Sequence, residues 1–181
     1  SRRLSLKRNL RLSLDGEVHL RNMKELFKIL IVKYNFSTPA GERLYFVAKG
    51  WLGKDASPSD VAPDEYGCAE SVNNIVFTTF NEEVGGDVST YRMYKALKEN
   101  KKFAKVTKPL RGDIIISPTG YGGTQEVKNG HVGIMSDNGV IMSNKSQNGL
   151  FSVHYTLDSW KERYQVRGKY PIHFYRRIFK S

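Results

Sequence analysis

NGHVGIMSDNGVIMSNKS, residues 129–146, holds two short apolar runs, His131–Ser136 and Val140–Ser143, parted by polar and turn-forming residues. Apolar runs of this length between Gly, Asn and Asp read as buried strands. Outward from this stretch, everything after Lys101 has the same texture, with further candidate strands at Phe103–Thr107, Asp113–Ser117, Phe151–Tyr155 and Ile172–Ile178. Before Lys101 the period changes. Asn22–Tyr34 sets Met23, Leu26, Phe27, Leu30 and Ile31 on one helical face. Thr38 is a good cap and Pro39 suits a first helical position, so a second helix is expected to run to about Leu52 and end at Gly53. GCAESVNNIVFTTF, residues 67–80, places Ala69, Val72, Ile75, Val76 and Phe80 near helical spacing, a buried helix beginning around Cys68. Gly85-Gly86 separates it from a last helix, Ser89–Asn100. Helices followed by strands predict an α+β domain with a small antiparallel sheet.

At the other end, Leu4, Leu6, Leu10, Leu12 and Leu14 alternate, and Asp15-Gly16 offers a turn. A three-residue loop, Asp15 to Glu17, sets Leu14 opposite Val18 and Leu12 opposite Leu20, which keeps the apolar side chains together. Arg2, Arg3, Lys7, Arg8 and Arg11 make this end basic. The expected organisation is a basic hairpin-and-helix extension over 1–38 and a main domain over 39–181. Residues 54–65, KDASPSDVAPDE, read as a loop between two helices.

With 181 residues, 39% hydrophobic and 12% aromatic, the chain is long enough for one packed core and is not disordered as a whole. Its 29 basic and 18 acidic residues leave a formal charge of +11. Such a charge suits a polyanionic partner or serves solubility. One cysteine excludes an internal disulfide. No signal peptide is visible. The most apolar stretch, Leu26 to Phe36, is broken by Lys28 and Lys33 and falls short of the roughly 17 residues a membrane span needs, so no span is expected. No nucleic-acid-binding motif appears. His19, His154 and His173 lack metal-ligand spacing, so neither a metal nor another cofactor is expected.

Three residues sit where thiol chemistry would use them. Cys68 opens a helix, whose positive end favours a thiolate. His131 opens a strand and Asn144 closes the next, so antiparallel pairing brings the two ends together. An imidazole beside a thiol moves its proton, and a polar third group fixes the ring's orientation and tautomer. Other residues have plainer readings. Asp113 caps the turn before its strand, Trp51 and Trp160 are core anchors, and Gly120-Tyr121-Gly122-Gly123 is a flexible rim without the Lys-Ser/Thr ending of a phosphate loop.

The strings EYGCAESVNNI, PLRGDIIIS, NGHVGIMSDNGVIMSNKS and YPIHFYRR occur in that order. Over about residues 40–178 this resembles the CHAP family of cysteine, histidine-dependent amidohydrolases and peptidases, in the papain-like superfamily that also holds the NlpC-type peptidases. The resemblance implies a papain-like fold, helices first and then a small antiparallel sheet. It also implies Cys68 as nucleophile, His131 as base and Asn144 as orienting residue. The Cys68 backbone N–H and Tyr66 become candidate oxyanion donors, and Tyr121 and Gly130 candidate substrate contacts. Many members carry a glutamine just before the cysteine or an aromatic residue soon after it; here Gly67 precedes and Ala69-Glu70-Ser71 follows. The family implies a phage endolysin or virion lysin acting on the peptidoglycan of the bacterial cell wall, as a monomer or within a larger phage assembly, and made in the host cytoplasm or carried in the virion. The bond cleaved would be the N-acetylmuramoyl-L-alanine amide or one in the stem or crossbridge. Two other readings stay open: a virion module that keeps the fold without catalysis, and a cysteine protease or deamidase acting on protein.

Overall fold

Thr38 shows how closely local chemistry sets the elements. Its backbone is extended and its side chain accepts from the Gly41 N–H, while Pro39 takes the first helical position, where an N–H has no intrahelical partner to lose. In this computed structural model, which describes residues 16–57, 67–86 and 88–179, four helices precede the sheet. They are α1 (Gly16–Tyr34), α2 (Pro39–Gly50), α3 (Cys68–Phe80) and α4 (Thr90–Glu99). The strands are β1 (Phe103–Val106), β2 (Ile114–Ser117), β3 (His131–Met135), β4 (Val140–Lys145), β5 (Leu150–Thr156) and β6 (His173–Arg177). They form one antiparallel sheet in the order β1-β6-β2-β3-β4-β5. The fold is α+β, with its elements in the sequence order expected. No helix among the described residues is long and apolar enough to cross a membrane.

Both faces of the central strands are covered. Leu44, Tyr45 and Ala48 of α2 and Ala69, Val72, Ile75 and Val76 of α3 pack on Ile114, Ile116, Val132, Ile134 and Met142. On the opposite face Ile115, Met135 and Ile141 meet Trp160, Tyr164 and Tyr170. Two-sided burial explains why β2 and β3 read as unbroken apolar runs rather than alternating ones.

The second face is built by a segment that strand periodicity does not reveal. Leu157–Trp160 is a short helix, α5, which continues as a π-helical turn over Lys161–Arg167. A capping box between Thr156 and Ser159 starts it. Leu157, Trp160 and Tyr164 stand at helical spacing, a signal present in the sequence. Trp160 is fully buried, and its Nε1–H donates to Ser117 Oγ at 3.1 Å.

The amino-terminal reading needs correction. Residues 18–20, expected to form the second hairpin strand, and residues 16–17 of the expected loop begin α1; the proposed first strand lies outside the described residues. Leu20, Met23, Phe27, Leu30 and Ile31 continue one helical spacing, and that longer pattern outweighs the short alternation with Val18. Of the apolar face read for this helix, Ile31 is fully buried, against Ala104, Val106 and Ile178.

Asp113 caps its turn, accepting from the Leu110 N–H at 2.7 Å, and it does more. Both its oxygens accept from Arg176 of β6, at 2.8 and 2.7 Å, with the two side chains about equally inaccessible to solvent. The guanidinium also donates to the carbonyls of Phe36 and Lys108 and to Asn35 Oδ1. One buried ion pair thereby ties β6, the turn before β2 and the link between α1 and α2.

Candidate active site

Cys68 is the first residue of α3, where the backbone N–H groups of the opening turn have no helical acceptor. Gly67 before it has no room for a side chain. A Cβ there would stand 2.3 Å from Ser57 Oγ and 3.1 Å from Asn144 Nδ2, so the glutamine common at this position in the resembled family is barred. Ser71 Oγ donates to the Gly67 carbonyl at 2.8 Å and closes the turn from inside the helix.

Cys68 is 7% exposed and belongs to the core between helices and sheet. Burial pushes its pKa up to about 11, while the backbone amides of Val132, Ala69 and Cys68 itself draw it back down. Three N–H groups thus favour negative charge at or near the sulfur. A cavity of about 230 Å³ opens beside it, bordered by Cys68, Thr90, Thr119, Asn129, Gly130 and His131 among others. Its wall is latched by hydroxyls: Thr90 Oγ1 donates to Thr119 Oγ1 at 3.0 Å, and the Gly130 N–H donates to Thr119 Oγ1 at 2.9 Å.

His131 reaches the same cavity from the other face of the sheet. Its ring stacks on Tyr164 with centroids 5.6 Å apart and lies 5.2 Å from the ring of Trp160. Nε2 stands 3.1 Å from Ser143 Oγ. Among the described residues, no hydrogen bond joins His131 to Cys68 or to Asn144. Strand parity explains the polar partner. Met135 pairs with Ile141, so His131 and Gly133 share a face with Ile141 and Ser143, whereas Asn144 points to the other face, toward Gly67. The structure therefore brings Cys68 and His131 to one cavity, sets Ser143 against the imidazole, and sets Asn144 beside the turn that carries the nucleophile candidate. The side chain of Tyr121 stacks on Tyr91 and packs edge-on to Tyr94, outside the lining of this cavity. Gly130 lines it directly, and Tyr66 lies outside the described residues.

Burial, then the positive fields of His154 and Arg163, lower the His131 pKa from 6.5 to about 3. The imidazole is therefore neutral in the folded protein at neutral pH. Between pH 6.5 and 3 the unfolded chain binds a proton at this residue that the folded chain does not, so His131 lowers stability as pH falls through that window. The slope approaches about 1.4 kcal/mol per pH unit. Urea titrations from pH 7 to 4 should show a shallower acid limb for His131→Phe than for wild type. Parallel limbs would mean that the imidazole is already protonated in the fold.

No curated protein matches the chain. Among solved structures it is similar to a chain of the type VI native effector–immunity complex Tae3–Tai3 from Ralstonia pickettii, with 18% identity and a TM-score of 0.49 over 78% of this chain and 98% of that one. The profile of the family described as "Bacteriophage peptidoglycan hydrolase" matches residues 54–181, a span that holds Cys68, His131, Ser143 and Asn144, and the chain belongs to that family.

Proposed function

We propose that this chain hydrolyses an amide bond of peptidoglycan by a thiol mechanism, with Cys68 as nucleophile and His131 as general base and acid. The observation that carries the reading is Cys68 at the start of α3, under the amides of Cys68, Ala69 and Val132, in a cavity that His131 also borders. Burial keeps thiol and imidazole neutral at rest, so the proton leaves Sγ for the imidazole as the sulfur attacks the scissile carbonyl carbon. The carbonyl oxygen becomes an oxyanion facing backbone N–H groups at the helix start. The imidazolium returns the proton to the departing amine, and the C–N bond breaks to leave a thioester. A water, deprotonated by the same imidazole, attacks the thioester, releases the carboxylic acid and restores the thiol.

Ser143 is the positioning residue for the ring in this reading. With Nε2 held by its hydroxyl, Nδ1 remains to exchange the proton. Asn144 supports the site from the nucleophile's side, its amide beside Gly67. Ser143→Ala should lower kcat by about tenfold to a thousandfold with little change in KM, as for third members of catalytic units. Ser143→Thr, which keeps the hydroxyl next to the bare Gly133, should recover most of that loss. Equal kcat and an unchanged pH profile in Ser143→Ala would leave the ring to its aromatic neighbours alone.

The scissile bond is either the N-acetylmuramoyl-L-alanine amide or a peptide bond of the stem or crossbridge. Mass spectrometry of muropeptides after digestion of purified walls separates these outcomes. New L-alanine amino termini identify an amidase, and new termini within the peptide identify an endopeptidase. A muropeptide pattern unchanged from the undigested control would overturn the reading.

A further inference from the structure

A second cavity, of about 300 Å³, also borders His131, and Cys68 is not part of its lining. It meets the first at one turn, because Asn129, Gly130 and His131 border both. At that junction Gly130 carries no side chain, and none fits: a Cβ there would stand 2.0 Å from the Ser117 carbonyl oxygen and 2.5 Å from the Thr119 nitrogen. Glycine is required there by the close approach of this turn to the backbone at the end of β2. Because the two cavities share this border, a ligand with a carbonyl at Cys68 can extend past Gly130 into the second cavity.

The positive charge bordering that cavity comes from Lys128 and Arg163, beside the imidazoles of His131 and His154, and its acid, Glu126, is paired with Arg167. No acidic side chain pairs with Lys128 or Arg163 among the described residues. The Arg163 guanidinium lies 5.7 Å from the Tyr164 ring centre, on the same ring that stacks against His131. Its planar fork is thereby held at the rim of the catalytic imidazole, ready for a planar anion. The Lys128 carbonyl accepts from Tyr170 Oη at 2.7 Å, which fixes the backbone bearing the second cation.

We propose that this cavity binds a free carboxylate of the peptidoglycan stem peptide, gripped by Arg163 and Lys128, and so selects stems that carry an acid over stems that carry the amide. This rests on the peptidoglycan-hydrolase reading of the Cys68 site. A carboxylate offers acceptors to both cations, whereas a primary amide puts an NH₂ group against a guanidinium and forfeits the charge.

The test uses two soluble muropeptides identical except for one stem carboxylate, free in the first and amidated in the second. Wild type is expected to favour the acid by about tenfold to a hundredfold in kcat/KM, the range for charge-assisted hydrogen bonds. Arg163→Gln with Lys128→Gln should bring that ratio close to one, and Arg163→Lys should hold it between. A wild-type ratio near one, or a ratio that the double variant leaves unchanged, overturns the proposal. Titration calorimetry with Cys68→Ala keeps the subsite separate from the chemistry. If wild type cleaves neither muropeptide but Cys68→Ala still binds the acid at least tenfold more tightly than the amide, the subsite stands and the hydrolase reading falls. Equal binding of the two overturns the subsite, whatever the turnover.

Discussion

Cys68→Ala is expected to lower peptidoglycan hydrolysis by about four to six powers of ten, to what binding and backbone amides alone provide. The side chain is nearly fully buried but small, and alanine keeps its Cβ against Val132 and the start of α3. The fold should therefore survive, with a melting temperature within a few degrees of wild type. Turbidity loss of purified walls, read beside circular dichroism, checks both halves of the expectation. His131→Ala should cost about as much, and the double variant little more than either single one, because two members of one proton-transfer unit do not add. Wall lysis retained in a folded Cys68→Ala protein would exclude the thiol as nucleophile.

The largest expected loss of stability lies away from the site, at Asp113. Its carboxylate holds Arg176 through two hydrogen bonds, and both side chains are 1% exposed. Asp113→Ala leaves a buried guanidinium without its counter-charge, which costs about 3–5 kcal/mol. That is a large part of the roughly 5–15 kcal/mol by which domains are stable, and corresponds to a fall of about 6–20 °C in Tm for a chain of this size. Asp113→Ala combined with Arg176→Met should melt higher than Asp113→Ala alone, since the stranded charge is gone. Scanning calorimetry measures all three proteins. A shift under about 3 °C for Asp113→Ala would mean that the carbonyls of Phe36 and Lys108 suffice to hold the guanidinium.

What the sequence revealed, and what it hid, follows from the range of the interactions involved. The cap at Thr38, the helix from Cys68 and the strand from His131 are set by neighbours within a few residues, and each begins where local chemistry says. The six strands were legible because their runs are short and bounded by turn residues. The π-helical turn was not, although Leu157, Trp160 and Tyr164 carry its spacing, because only tertiary packing makes so short a helix worth forming. Ser143 was hidden by parity. Knowing that β3 and β4 pair does not say which side chains share a face; the pairing of Met135 with Ile141 decides it, and one residue of register exchanges Ser143 for Asn144. The Arg176–Asp113 pair and the cationic cavity join residues far apart in sequence, and no local pattern announces them.

The place of β6 has a bearing on how the molecule comes into being. Of the six strands among the described residues it is the furthest along the chain, yet it lies inside the sheet, between β1 and β2. During synthesis β2, β3, β4 and β5 can zip together as they emerge, while β1 has no partner until β6 leaves the ribosome. Closing pairs this distant is slow compared with forming local helices. Arg176 arrives with the same strand, so the buried charge of Asp113 also waits for it. Each nascent chain thus passes through a period with an open sheet edge and an Asp113 without its guanidinium, and both are resolved in the single event that closes the sheet.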